Sequence, residues 1–264
     1  QPIGHPWAKP VRFAPRLDGS GSAQSERFPG VPGLMDYFRV DGAQVHAVGV
    51  GPVHAGVIEP GHFRFQCHGE EVFFLEISLG YQHRGIERAL AGGPDRRSIH
   101  YAETAAGDTT IGHATAYCEV MEGLAEARLP SRGAAVRGIA LELERLANHA
   151  GDLGALAGDV GFLPTASYCG RIRGDYLNLT AELCGSRFGR GLVRPGGTKV
   201  DLDGGLGSRL LDRLERALAD TQSAVDLLWE SASVMERFEE TGVVPREIAA
   251  VLGLKGPAAR ASGL

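Results

Sequence analysis

The sequence predicts a mainly α (α+β) protein, a bundle of long helices preceded by a small antiparallel β-sheet. Period-two alternation of apolar residues is confined to 44–78. From Leu79 onward the apolar residues recur at helical spacing. One of those stripes marks a helix whose length fits a bundle better than a compact α/β layer.

Residues 1–43 carry Pro, Gly and Ser without periodicity, notably Asp18-Gly19-Ser20-Gly21-Ser22. They are expected to form an extended arm or linker. Strands are expected at Gln44–Val48, His62–Cys67 and Val72–Ile77, the last two joined by a turn at His68-Gly69-Glu70. In the helical region, 79–264, the stripe Val136, Ile139, Leu143, Leu146, Ala150, Leu153 predicts one long helix, with Glu142, Glu144 and Arg145 off its apolar face. Pro164 suits a helix start, with Tyr168 to Phe188 following. Gly191–Gly197 reads as a break containing a short extended piece. Leu210, Leu214, Leu218, Val225, Leu228, Ala232 and Met235 predict a single long helix.

The chain has 264 residues, a hydrophobic share of 43% and a charged share of 22%. That length buries roughly three quarters of the extended chain's surface. A net charge of −5 argues against a nucleic-acid binder, which presents a basic face. No apolar run reaches the roughly 18 residues of a membrane span, so membrane association would run through partner subunits. Cys67, Cys118, Cys169 and Cys184 are scattered without a Cys-x-x-Cys pair. They read as free, mostly buried thiols of a reducing compartment rather than a disulfide framework or a cluster site.

Six segments in order carry a resemblance to a known family: Gly51-Pro52-Val53-His54, Glu59-Pro60-Gly61-His62-Phe63-Arg64, Gly80-Tyr81-Gln82-His83-Arg84-Gly85-Ile86-Glu87, Ala106-Gly107-Asp108-Thr109 with His113, Leu141-Glu142-Leu143-Glu144-Arg145-Leu146, and Gly256 to Gly263. Together they resemble the large subunit of energy-converting nickel–iron hydrogenases of the formate-hydrogenlyase type and its relative, the 49-kDa subunit of respiratory complex I. The Glu-Pro-Gly-His-Phe-Arg form looks closer to the hydrogenase-like branch. The resemblance implies a hydrogenase large-subunit-like fold, of which this chain would be a fragment ending mid-protein. In those hydrogenases the tetrapeptide at 106–109 is Cys-Gly-Ile-Cys, whose thiolates hold the metals. Ala106 and Thr109 replace them, and a methyl or a neutral hydroxyl is a poor substitute for a soft thiolate at nickel. The family's second thiolate pair falls beyond Leu264.

The resemblance assigns no catalytic residue and no metal ligand to this chain. It points to a cofactor-binding pocket lined by His54, Glu59, His62, Gly107, Asp108 and His113. His54 matches the histidine that faces quinone in complex I, whereas that protein's tyrosine position falls on Gly107 and Asp108; Tyr101 and Tyr117 are close in sequence only. Glu59 resembles a glutamate that passes protons near the hydrogenase metals, and His113 a histidine supporting the metal cysteines. A buried Asp108 would need a partner, for which Arg64, Arg84 and His113 are the candidates. Each of these residues has an ordinary structural alternative: a strand-edge histidine, a turn carboxylate, a satisfied core histidine. His83-Arg84-Gly85-Ile86-Glu87 would lie near the contact with an iron–sulfur small subunit.

The function implied is that of a subunit in a membrane-associated respiratory oxidoreductase complex, of NADH:quinone oxidoreductase or hydrogenase-like type. Its nickel site would be lost and its pocket given to quinone or proton coupling. The alternative is a catalytically inert structural subunit that docks the iron–sulfur small subunit to the membrane arm. No cofactor is expected in this fragment, with quinone a candidate in the assembled complex. The expected partners are the iron–sulfur small subunit and membrane-arm subunits, with no nucleic acid and no direct membrane span. The expected location is cytoplasmic, peripheral on the inner face of the cell membrane.

Overall fold

The computed structural model describes residues 41–52, 60–79, 81 and 83–264. The chain divides into an N-terminal unit ending at Ala91 and a larger one, Gly92–Leu264. Most of the 1–43 arm, and His54 and Glu59 of the expected pocket, lie outside the described residues.

In the N-terminal unit, β1 (Val45–Val50), β2 (His62–His68) and β3 (Glu71–Ser78) form an antiparallel sheet in the order β1-β2-β3. The expected turn joins β2 to β3, with Gly69 at φ 60°. Phe63 pairs with Ile77 and Phe65 with Leu75, and the register shifts between Gln66 and Cys67, where a bulge turns both side chains inward. Gly51 sits at φ 101°, and a β-carbon there would fall on the Gly61 carbonyl oxygen, so no side chain fits. A short helix, α1 (Ile86–Leu90), follows.

The larger unit is helical. α2 (Ser98–Glu103), α3 (Thr110–Leu124), α4 (Ser131–Asp159) and α5 (Leu163–Cys184) lead to a two-stranded ribbon, β4 (Val193–Arg194) with β5 (Gly197–Thr198), and then to α6 (Gly204–Trp229). The predicted break at 191–197 is this ribbon. The α4 seam differs from the predicted stripe: Val136, Ala140, Leu143, Ala147 and Ala150 are buried, whereas Ile139 is exposed. Their alternating four- and three-residue spacing, with small residues at every other step, lets α4 and α5 approach closely. At Gly154 a β-carbon would stand 2.9 Å from that of Cys169.

Two helix ends also differ from expectation. α5 begins around Pro164 as predicted but stops at Cys184, where Gly185 takes the left-handed conformation (φ 80°). The predicted single long helix is two helices, α6 and α7 (Ala232–Phe238), divided at Glu230-Ser231. Ser231 is extended there, and its carbonyl accepts the amides of Val234 and Met235 to start α7. An apolar stripe continues across such a break because only Ser231 leaves helical geometry. α8 (Arg246–Leu252) and α9 (Gly256–Ala261) complete the chain. No helix among the described residues is long and apolar enough to cross a membrane.

The core of the larger unit holds α3, α4, α5, α6 and β4 together around Ile111, Ile172, Tyr176 and Val193, each 0–1% exposed. A buried ion pair fastens the ribbon to it. Arg137 of α4 holds Glu122 of α3 with two hydrogen bonds of 2.6 and 3.2 Å. The same guanidinium donates to the carbonyls of Arg194 (2.7 Å) and Gly197 (3.0 Å). Glu122 also accepts the Gly196 amide at 2.7 Å.

Candidate functional site

The loop after α2 carries Ala106-Gly107-Asp108-Thr109 into the first turn of α3. A helix start leaves amides without intrahelical acceptors, and Thr109, the residue at the cap position, makes no side-chain bond to them. Glu144 reaches across from α4 instead, accepting the amides of Ile111 at 2.7 Å and Gly112 at 3.0 Å. Gly112 leaves the room for this, since a β-carbon there would meet the Thr109 methyl at 2.8 Å and the Glu144 carboxylate at 3.4 Å. Burial pushes the Glu144 carboxyl up, while the amides and the nearby His113 pull it back toward the charged form.

Asp108 is tied down at both ends of the residue. Asn148 Nδ2, one turn beyond Glu144 on α4, donates to the Asp108 carbonyl at 2.8 Å. Arg173 of α5 donates to the Asp108 carboxylate, also at 2.8 Å. Asp108 therefore pairs with Arg173, an arginine the sequence reading did not name, and His113 is not bonded to it. Nor is it a buried pair, because the Asp108 side chain is 64% exposed; water supplies the rest of its solvation, and no buried countercharge is needed. His113, one turn into α3, is exposed rather than packed in the core.

Behind these groups lies a cavity lined by Asp108, Ile111, Glu144, Asn148, Arg173 and Leu177, among others. Its volume is about 10 Å³, close to the least that holds one water. Of the expected site residues, Gly107, Asp108 and His113 sit together at this junction, and His62 opens β2 in the N-terminal unit. Among the described residues no three of His, Cys, Asp and Glu converge in a way that could hold a metal. Cys118, one helix turn from Ala114 in the core, is pushed up to about 11 by burial, so its thiol stays neutral.

Glu144, Asn148 and Arg173 are the residues that sequence reasoning missed. Glu144 and Asn148 are four apart, hence on one face of α4. That spacing was the available signal, but what the face meets is decided by the packing of α3. Two measurements of stability rank these contacts. Glu144→Ala, which strips the amides of their acceptor, is expected to cost about 1–2 kcal/mol. Asp108→Ala, which removes an exposed pair, is expected to cost no more than about 1 kcal/mol. Urea unfolding of the two variants gives this order if Glu144 is the principal tether.

Residues 159–264 match the family of the respiratory-chain NADH dehydrogenase 49 Kd subunit. The chain is 33% identical over 225 residues to NADH-quinone oxidoreductase subunit 4 of Thermus thermophilus, a match covering 84% of this chain and 54% of that protein. It is 30% identical to a carbon monoxide-induced hydrogenase of Rhodospirillum rubrum, covering 83% of this chain and 61% of that one. It is 31% identical to formate hydrogenlyase subunit 5 of Escherichia coli, covering 83% of this chain and 38% of that one. The chain's homologues are thus complex I 49-kDa subunits and membrane-bound or formate hydrogenlyase hydrogenase large subunits. Identities of 33% and 31% do not separate the two branches. The fold is also that of a chain in the membrane-bound sulfane sulfur reductase, an archaeal respiratory membrane complex, with a TM-score of 0.76 at 20% identity over 84% of this chain and 60% of that one. The chain spans roughly half the length of the curated relatives it matches, 56% and 50% for two of them.

Proposed function

We propose that this chain serves as a subunit of a membrane-associated respiratory oxidoreductase complex, with the metal-holding loop of the hydrogenase branch kept as a scaffold and stripped of its sulfur. One observation carries the reading: the loop at 106–109 is held through Asp108, whose carbonyl accepts Asn148 and whose carboxylate accepts Arg173, with Glu144 fixing the helix start just beyond it, while its two ligand positions are Ala106 and Thr109. A methyl offers no electron pair and a neutral hydroxyl binds nickel poorly, so this half of the donor set does not fit the metal. Electrons would come from an iron–sulfur small subunit, and membrane-arm subunits would supply the attachment. Quinone is the ligand in keeping with a vacated metal pocket in this family.

The inert-scaffold reading draws support from the cavity beside Asp108, which at about 10 Å³ is too small for a quinone ring. In that reading the chain joins its partners and reacts with nothing.

Affinity purification of the protein from its own cells under mild detergent tests both. Recovery with an iron–sulfur protein and multispan membrane proteins is the expected result, and recovery alone would refute the complex. Elemental analysis of the same preparation is expected to show no stoichiometric nickel, and one nickel per chain would overturn the loss of the site. Labelling of this chain by a photoreactive quinone favours the pocket, whereas labelling confined to other subunits favours the scaffold.

A further inference from the structure

On another face of the larger unit, a cavity of about 340 Å³ opens between α2, α3 and the β4–β5 ribbon. That volume lies at the lower end of the range of small-molecule sites, and the lining has their character, an apolar wall with a few convergent polar groups. Ile99 and Pro195 supply the wall, with the buried Val193 behind it, and Tyr117 brings an aromatic ring.

The charges divide unevenly. Asp95 is consumed locally: its carboxylate accepts Arg97 side-chain nitrogens at 3.1 and 3.2 Å and the amides of Arg97 and Ser98. Glu103, 3% exposed, is consumed as well, one oxygen taking the Gly191 amide at 2.5 Å and the other facing His100 Nδ1 at 3.2 Å. Arg96 and Arg194 are different. Both line the cavity, both are exposed, and among the described residues neither guanidinium has a carboxylate partner. The Arg194 backbone is meanwhile anchored by Arg137. The Tyr117 hydroxyl likewise has no partner among the described residues.

We infer that this cavity is a binding site for a small carboxylate carrying an apolar or aromatic body, the body lying on Ile99, Pro195 and Tyr117 and the carboxylate meeting Arg96 and Arg194. Guanidinium forks match carboxylates in geometry as well as charge. Both acidic lining residues are already satisfied, so they offer little to a cation. The inference does not rest on the respiratory-complex reading, because no residue of the 106–109 loop takes part.

Benzoate and its uncharged analogue benzamide are suitable probes, titrated into the full chain at low ionic strength and followed by amide NMR shifts. Benzoate is expected to bind with a Kd near or below about 1 mM, and benzamide about tenfold more weakly. Added salt weakens benzoate selectively. The double variant Arg96→Ala/Arg194→Ala, altered only at exposed side chains, is expected to lose about tenfold in benzoate affinity with its Tm unchanged. Equal binding of the two probes, unchanged benzoate affinity in the double variant, or benzoate shifts absent from the Ile99 and Tyr117 amides would each overturn the site.

Discussion

Arg137→Ala is expected to destabilise the larger unit by about 3–5 kcal/mol, the cost of leaving the second charge of a buried pair without its partner. Arg137 and Glu122 are 3% and 7% exposed, so water cannot replace what is removed. The loss reaches beyond the pair, since the Arg194 and Gly197 carbonyls lose their donor too and the β4–β5 ribbon loses its fastening to α4. Arg137→Lys keeps the charge but not the fork, and should recover only part of the loss. Urea unfolding followed by circular dichroism measures both; a change under about 1 kcal/mol for the alanine variant contradicts the account. The pair also gives stability a direction with pH. The Arg137 guanidinium, chiefly through its hydrogen bonds, holds the Glu122 carboxyl below the usual carboxylate range. A depressed folded-state value means the contribution is complete above the unfolded glutamate's pKa of about 4.3 and disappears as pH falls through the lower folded value. The acid limb of the stability curve should therefore flatten in Arg137→Ala.

The elements that were legible in the sequence are those whose signal is local. Alternation at His62–Cys67 and Val72–Ile77, with a glycine turn between, predicts a hairpin because both strands and the turn lie within one short window. Pro164 marks the start of α5 for the same reason. The α6–α7 break was not legible, since Leu228, Ala232 and Met235 keep helical spacing through it and Ser231 is a weak local signal. The candidate site was half legible. The family pattern identified the loop at 106–109 and the missing sulfur at Ala106 and Thr109. It could not say what holds the loop in place, because Glu144 and Arg173 act from other helices at separations of 33 and 65 residues. The sequence placed Glu144 only off the apolar stripe of α4, with no partner named for it. It is off the stripe because it meets a helix end rather than a hydrophobic face.

Gly189→Ala is expected to destabilise the protein by about 2–5 kcal/mol, although it adds a single methyl. Gly189 has φ 68°, in the left-handed region where a side chain costs about 1–2 kcal/mol. The added carbon would also collide with Cδ1 of Ile111, which is fully buried. Overpacking of that kind adds about 1–3 kcal/mol. Ile111 cannot retreat freely, because its own amide is held by Glu144 at 2.7 Å. A companion variant separates the two causes: Ile111→Ala/Gly189→Ala removes the clash and leaves the backbone term. If the collision matters, the cost of Gly189→Ala is smaller in the Ile111→Ala background, and the two changes are non-additive by about 1 kcal/mol. Strict additivity would mean that only the backbone resists the methyl. The position ties the turn after α5 to the first turn of α3, so strain introduced at Gly189 enters the Ala106–Thr109 loop through Ile111. Hydrogen exchange at the Ile111 and Gly112 amides should then quicken in Gly189→Ala while the amides of α6 keep their relative protection.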